Sequence, residues 1–241
     1  MVRKKAGYQE EHRKVIRQVD VLNALELSEV EDLLPCPTSL ADVGDVVARE
    51  QLGEAIVLIP ALIKPLLVHA EGGFGKTVFL ESLASALSED HEVVFFDCFG
   101  GGAYRSPEDG RHLANRGLIH IANVVACRGL CDPILPGSDN AEMLFSRFRK
   151  RLEQCVKALG TASPDRELIL FIDAIDNAAE YASERKQHAF PTQLIESFEL
   201  SGPVQGVKLV LSSRTHRIPI ALPDLSYQDF ALRPFTIDES S

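Results

Sequence analysis

The sequence is short of positive charge: 25 Lys and Arg stand against 35 Asp and Glu, a net charge of −10. That balance argues against broad non-specific nucleic-acid binding, which needs a positive field, but leaves room for a local basic groove. Long apolar runs are also missing. The most apolar window, 55–70, holds 16 residues, includes Pro60, Lys64 and Pro65, and falls short of the roughly 20 residues that span a bilayer. Three basic residues among the first five are followed by no unbroken apolar segment, so neither a secretory signal nor a membrane partner is expected. The five cysteines, Cys36, Cys98, Cys127, Cys131 and Cys155, are odd in number and widely spaced. This excludes a disulfide framework and fits reduced thiols in a cytoplasmic protein. Cys127 and Cys131, with His112 and His120 upstream, lack the second close pair of common zinc sites. Internal repeats and low-complexity tracts are absent.

What is present is a succession of periodic segments, enough at 241 residues for one well-buried domain and a small appendage. Val15, Val19, Leu22 and Leu25 recur at three- and four-residue steps, which predicts a helical lead-in over 1–35, closed by Pro35 and Pro37. A second helix is expected over 43–59, with Arg49 and Glu50 on its wet face. Near-continuous apolar runs predict strands at 65–70, 92–97, 167–173, 207–211 and 228–232. Between them, helices are expected at 78–87 (buried face Val78, Leu83, Leu87), 111–126, 141–159 (stopped by Gly160) and 191–200. Strands separated by helical segments imply an α/β fold: a mostly parallel five-stranded sheet between two helical layers.

The most informative stretch is 66–77. An apolar run stops, three glycines follow within four residues, and Lys76-Thr77 opens an amphipathic run. The pattern G-x-x-x-x-G-K-[ST] is complete except that Ala70 stands at its first glycine. A phosphate loop needs this composition because successive N–H groups must turn inward around an anion, which favours glycine dihedrals. The following helix aims its first N–H groups at the same anion. The candidate binding residues are therefore Gly72, Gly73, Phe74, Gly75, Lys76, Thr77 and Val78, with Lys76 reaching phosphate and the Thr77 hydroxyl holding Mg²⁺. The competing reading is a glycine-rich surface turn.

Two later strands supply the remaining chemistry. The run 168–172 ends in Asp173, a carboxylate at the end of the sheet where ligands bind, able to share Mg²⁺ with Thr77. Three residues on, Asp176 would face the same side if the chain turns at once into a helical bend, and would orient an attacking water. Its alternative role is helix capping. The fourth strand ends in Ser212-Ser213-Arg214, which would put a hydroxyl or guanidinium near a γ-phosphate; Arg217 is a second candidate. A solvated arginine is the competing reading. Gly100–Gly102, with Arg105, Arg111 and His112, form a second glycine-rich loop. It would touch nucleotide or a neighbouring subunit, or serve only as a surface loop. His69 is expected to be a packed strand residue.

With these three pieces in order, the chain resembles the STAND class of signalling P-loop NTPases, within it the NACHT-like branch, and most of all the bacterial antiviral STAND proteins. The residues that carry the likeness are Gly72-Gly73-Phe74-Gly75-Lys76-Thr77, Asp97-Cys98-Phe99-Gly100-Gly101-Gly102, Asp173-Ala174-Ile175-Asp176, Ser212-Ser213-Arg214 and the closing Leu232-Arg233-Pro234-Phe235-Thr236. The resemblance implies an ATP-binding core with Mg²⁺, a slowly hydrolysing switch that controls self-association, and a foreign-protein trigger sensed outside this chain. It implies a lead-in or linker over 1–37, the nucleotide domain over 38–237 and a junction to a following domain over 238–241, hence a piece of a larger protein. Asn177 stands where the branch often has an acid, which argues against rapid hydrolysis. Asn177 and Ala70 would also suit a non-hydrolytic nucleotide-binding scaffold. A small-molecule kinase would want a lid with paired arginines, but the interval after the third strand offers Arg185-Lys186, on a predicted helix. A Ras-type GTP switch is disfavoured because no Asn-Lys-x-Asp occurs.

Overall fold

The computed structural model describes residues 17–24, 33–38, 49–135 and 140–235. The chain divides into two units, 1–33 and 34–241. In the first, α1 spans Gln18–Ala24. Of its predicted stripe, Val15 and Leu25 lie outside the described residues, Val19 is exposed and Leu22 half-buried.

The second unit is built on five strands: β1 Leu66–Ala70, β2 Glu92–Asp97, β3 Leu168–Asp173, β4 Val207–Arg214 and β5 Gln228–Ala231. Their order is β2-β3-β4-β1-β5. Every pairing is parallel, so the expected mostly parallel sheet is wholly parallel. Side chains alternate across it as the strand period requires. Leu66, Val68, Ile169, Phe171 and Val210 join one core with Phe79, Leu80 and Leu83. Leu67, Val94, Phe96, Leu170 and Ile172 join the other with Leu118, Phe148 and Phe190. The first core lies under α2 (Glu50–Leu58) and α3 (Lys76–Leu87); the second lies under α4 (Ala114–Cys127), α5 (Ala141–Ala162), α6 (Ile175–Glu184) and α7 (Phe190–Ser201). That is the three-layer sandwich the strand–helix alternation implied. A short helix α8, Ile218–Ala221, follows β4.

Several sequence expectations are corrected. Arg49 does not sit on a wet helical face. It precedes α2 in extended conformation and is 8% exposed, because its guanidinium is claimed by main-chain carbonyls described below. The predicted start of that helix at 43 lies outside the described residues. Val78 is half-buried, and Phe79 and Leu80 take the buried places in α3. Gly160 does not stop α5, which continues to Ala162. An internal glycine costs about 1 kcal/mol, little beside the burial of Leu144, Phe148, Leu152, Cys155 and Leu159. Phe145 and Val156, placed in that stripe by periodicity, flank it half-buried. Arg185 and Lys186 are not helical: α6 ends at Glu184, and Lys186 turns with φ +57°.

Candidate functional site

The carboxyl ends of β1, β3 and β4 open onto one cleft of ≈ 520 Å³. β1 ends at Ala70, which pairs with Arg214 in the ladder. Alanine serves at the motif's first position because the backbone there is still a strand, with no need for glycine dihedrals. Gly73 and Gly75 then turn with φ +82° and +73°, the region glycine enters without a Cβ penalty. Gly75 precedes α3 and offers no side-chain cap, so the first N–H groups of the helix are left for an anion.

Gly72, Gly73, Gly75, Lys76, Thr77, Val78, Asp173, Asp176 and Arg214 all line this cleft. Phe74 does not; its ring packs against the α2–α3 core. Lys76 Nζ donates to the carbonyls of Ala70 (3.0 Å) and Glu71 (2.9 Å), folded back on its own loop. Burial holds its pKa below the usual lysine range, against the raising influence of Asp176 and Asp173.

Thr77 Oγ1 donates to Asp173 Oδ2 at 2.7 Å. Ser212 Oγ donates to the other oxygen, Asp173 Oδ1, and accepts the Ala174 N–H at 2.8 Å. Asp173 is 2% exposed. Burial lifts its pKa above the usual carboxylate value, opposed by the bonds from Ser212 and Thr77. The next residue, Ala174, adopts φ +55°, a left-handed conformation that costs a non-glycine residue on the order of 1 kcal/mol. That sharp turn starts α6 at once, and Asp176 faces the same cleft as Asp173.

Asp176 is 2% exposed. Its Oδ1 accepts a long hydrogen bond from the Arg214 N–H, 3.4 Å. Its Oδ2 lies 3.7 Å from both Arg214 Nε and Arg217 Nη1 yet has no hydrogen-bond partner. Arg217 is committed to Glu180 at 2.6 Å. Asn177 is also buried, with Oδ1 unpartnered. Such buried, unmet acceptors are costly unless something else supplies a donor.

Glu81, which the sequence reading left out, and Asp97 and Phe99, to which it gave no role in the site, share the cleft with Gly101, Ala174, Asn177 and Ser212. Asp97 is the register partner of Asp173 on β2. Its oxygens accept the N–H groups of Phe99 and Gly100, each at 2.7 Å. Burial raises its pKa despite those bonds. The Glu81 carboxyl is raised as well, by burial and then by Asp173 and Asp97. An acid ending β2 beside an acid ending β3 was the available signal for Asp97. Thr77 and Asp173 are the groups suited to a hard cation. They already converge, and oxygen ligands of this kind fit Mg²⁺, which takes only one or two from protein. His69 meets its expectation of a strand residue, half-buried with Nδ1 3.0 Å from Thr215 Oγ1.

Among solved structures, the chain is similar to a Walker-type ATPase of Pyrococcus abyssi, with 17% identity, 86% of this chain and 59% of that chain covered, and a TM-score of 0.53. The chain has the P-loop NTPase fold. A more distant likeness is to AMPPCP-bound DnaA from Aquifex aeolicus, at 14% identity, 78% and 43% coverage and a TM-score of 0.34. The chain thus spans 59% of the length of the Pyrococcus abyssi ATPase. No family model and no curated protein matches the sequence. Among the described residues, no helix is long and apolar enough to cross a membrane.

Proposed function

We propose that this chain binds ATP with Mg²⁺ and hydrolyses it slowly, as the nucleotide switch of a STAND-class, NACHT-like signalling NTPase whose self-association follows nucleotide state. The observation that carries the reading is the Thr77–Asp173 bond at 2.7 Å. A loop hydroxyl and a strand-end acid, 96 residues apart, meet beside Lys76 and below a row of unclaimed helical N–H groups. Thr77 and Asp173 would hold the Mg²⁺, which when bound offsets the negative charge of the phosphates. Lys76 would leave the Ala70 and Glu71 carbonyls for phosphate. Asp176 Oδ2, buried and unpartnered, would accept a hydrogen bond from the attacking water and orient it. Arg214, whose side chain is 35% exposed at the cleft, would donate to the γ-phosphate.

Slow turnover is supported by two features. Asp176 is flanked by two guanidinium groups, and the next side chain is Asn177, an amide that cannot act as a base. An antiviral role with a foreign-protein trigger rests on the sequence resemblance, and the similarity to a Walker-type ATPase fits the nucleotide part of it. The test is to measure phosphate release and molar mass together, with ATP and with ADP. Slow release with a nucleotide-dependent mass is expected. Fast release at constant mass would contradict the switch.

A further inference from the structure

Arg49 is a buried charge that the nucleotide chemistry above does not use. An arginine only 8% exposed is costly unless its donors are met. Nη2 donates to the Phe74 carbonyl at 2.6 Å, and Nη1 to the Arg233 carbonyl at 2.7 Å. The guanidinium also lies over the Phe235 ring, 3.7 Å from its centroid, within cation–π range. Phe74 belongs to the glycine loop. Arg233 and Phe235 lie just past β5, on the chain that leaves the sheet. One side chain thus bonds both.

Its neighbours strengthen the second half of this link. Gln51 Nε2 donates to the Ala231 carbonyl at 2.9 Å, and Gln51 Oε1 accepts the Arg233 N–H at 2.8 Å. The Arg233 guanidinium meets Glu54 at 2.5 Å. The start of α2 therefore holds 231–235 as an added strand edge would.

The first half matters because of what a phosphate loop must do. Turning N–H groups inward turns carbonyls outward, and those carbonyls need donors. Lys76 serves Ala70 and Glu71, and Arg49 serves Phe74. A bound polyphosphate would draw Lys76 away, and among the described residues Arg49 would then still brace the loop's main chain at Phe74. Among the described residues, His216 meets the loop at the exposed Glu71 carboxylate.

We infer that Arg49 is a positioning residue for the glycine loop, and that through it nucleotide in the loop is sensed by residues 231–235. This rests on the nucleotide-binding reading above. The segment after β5 is then tightened when the loop is filled, since the loop's carbonyls and 231–235 share one guanidinium.

The experiment is ATP titration with Mg²⁺, together with hydrogen–deuterium exchange at the Leu232, Arg233 and Phe235 amides with and without nucleotide. It uses the whole chain as wild type, Arg49→Ala, Arg49→Lys and Phe235→Leu. In the wild type, nucleotide should slow exchange at Arg233. Arg49→Ala should weaken ATP binding about tenfold or more, from the loss of charge-assisted hydrogen bonds, and abolish the nucleotide effect at Arg233. Arg49→Lys, which keeps the charge but lacks the fork that spans two carbonyls, should fold and recover only part of the coupling. Phe235→Leu should keep ATP affinity within about threefold, since this face-on contact is a modest one, while reducing protection at Arg233. Wild-type ATP affinity in Arg49→Ala, or undiminished protection at Arg233 in that variant, would overturn the inference alone. Failure of the wild type to bind ATP would overturn the nucleotide reading along with it.

Discussion

Two glycine-rich loops leave the same edge of this sheet, after β1 and after β2, and they differ in what surrounds their glycines. In the loop after β1, a Cβ on Gly72 or Gly73 would meet nothing within 4 Å, and one on Gly75 only an Arg49 nitrogen at 3.8 Å. In the loop after β2, a Cβ on Gly100 would lie 2.1 Å from the Arg111 guanidinium carbon. Arg111 is buried, donates to the Asp97 carbonyl at 2.6 Å and is gripped by both oxygens of Asp109, at 2.7 and 2.8 Å. At Gly100 the second loop is filled by a cation of the chain itself, whereas a Cβ on Gly102 would meet nothing within 4 Å and Gly101 lines the cleft. The first holds its turn open. The space is open at Gly72 and Gly73 and taken by a neighbouring side chain at Gly100, and composition alone does not separate the two cases.

The carboxylates repeat the contrast. Asp97 spends its oxygens on the N–H groups of Phe99 and Gly100, whereas Asp176 keeps one buried oxygen unmet. Gly100 should therefore report on stability and the loop after β1 on ligand.

The largest expected effect breaks the loop after β2. Gly100→Ala adds a methyl where φ is +56° and a guanidinium is already in place. It should destabilise the fold by about 3 kcal/mol or more, seen as a fall of about 6–12 °C in the thermal midpoint. A midpoint within a degree of wild type would mean that the loop is not packed as described. Next comes Asp176→Asn, which should slow ATP turnover about 100-fold with ATP affinity unchanged. Equal turnover in a single-site assay would remove Asp176 from the chemistry. Gly73→Ala sharpens the comparison from the other side. It should cost only about 1 kcal/mol of stability, because the space around it is open, while lowering ATP affinity about tenfold by shifting an N–H that would face phosphate.

The smallest effect concerns pH. Asp173 has its pKa raised by burial above the unfolded value of 3.8. The folded chain then binds that proton more tightly than the unfolded chain does. Stability falls as pH climbs from the unfolded value through the folded one, and the loss is complete above it. Asp173→Asn removes this loss. Without nucleotide, the variant should melt about 2 °C above wild type at neutral pH, with the gap closing near pH 4. A variant that melts lower at every pH would show that the carboxylate stabilises the free protein.

Much of this was legible in the sequence because it is local. The loop motif, the strand ending in Asp173 and the strand ending in Arg214 are each set by apolar runs that stop at polar residues. Their meeting at one cleft follows from a parallel sheet, whose strands all end on the same edge. What periodicity missed is long-range. Arg49 read as a wet helical residue because its partners are 25 and 184 residues away. Asp97 read only as the end of the second strand because its importance lies in being the register partner of Asp173. Gly160 read as a helix stop because the pull of Cys155 and Leu159 on the buried face is tertiary. The left-handed Ala174 was hidden for the same reason. Its strain is held in place by Ser212 on another strand.

The most direct test of the open loop is equilibrium titration of the purified chain with ATP and Mg²⁺, wild type against Lys76→Ala, with thermal unfolding as the control for folding. Saturable one-site binding by the wild type and none by a folded Lys76→Ala is the predicted result. Equal ATP affinity in the two would contradict the assignment of residues 70–77 as the phosphate site.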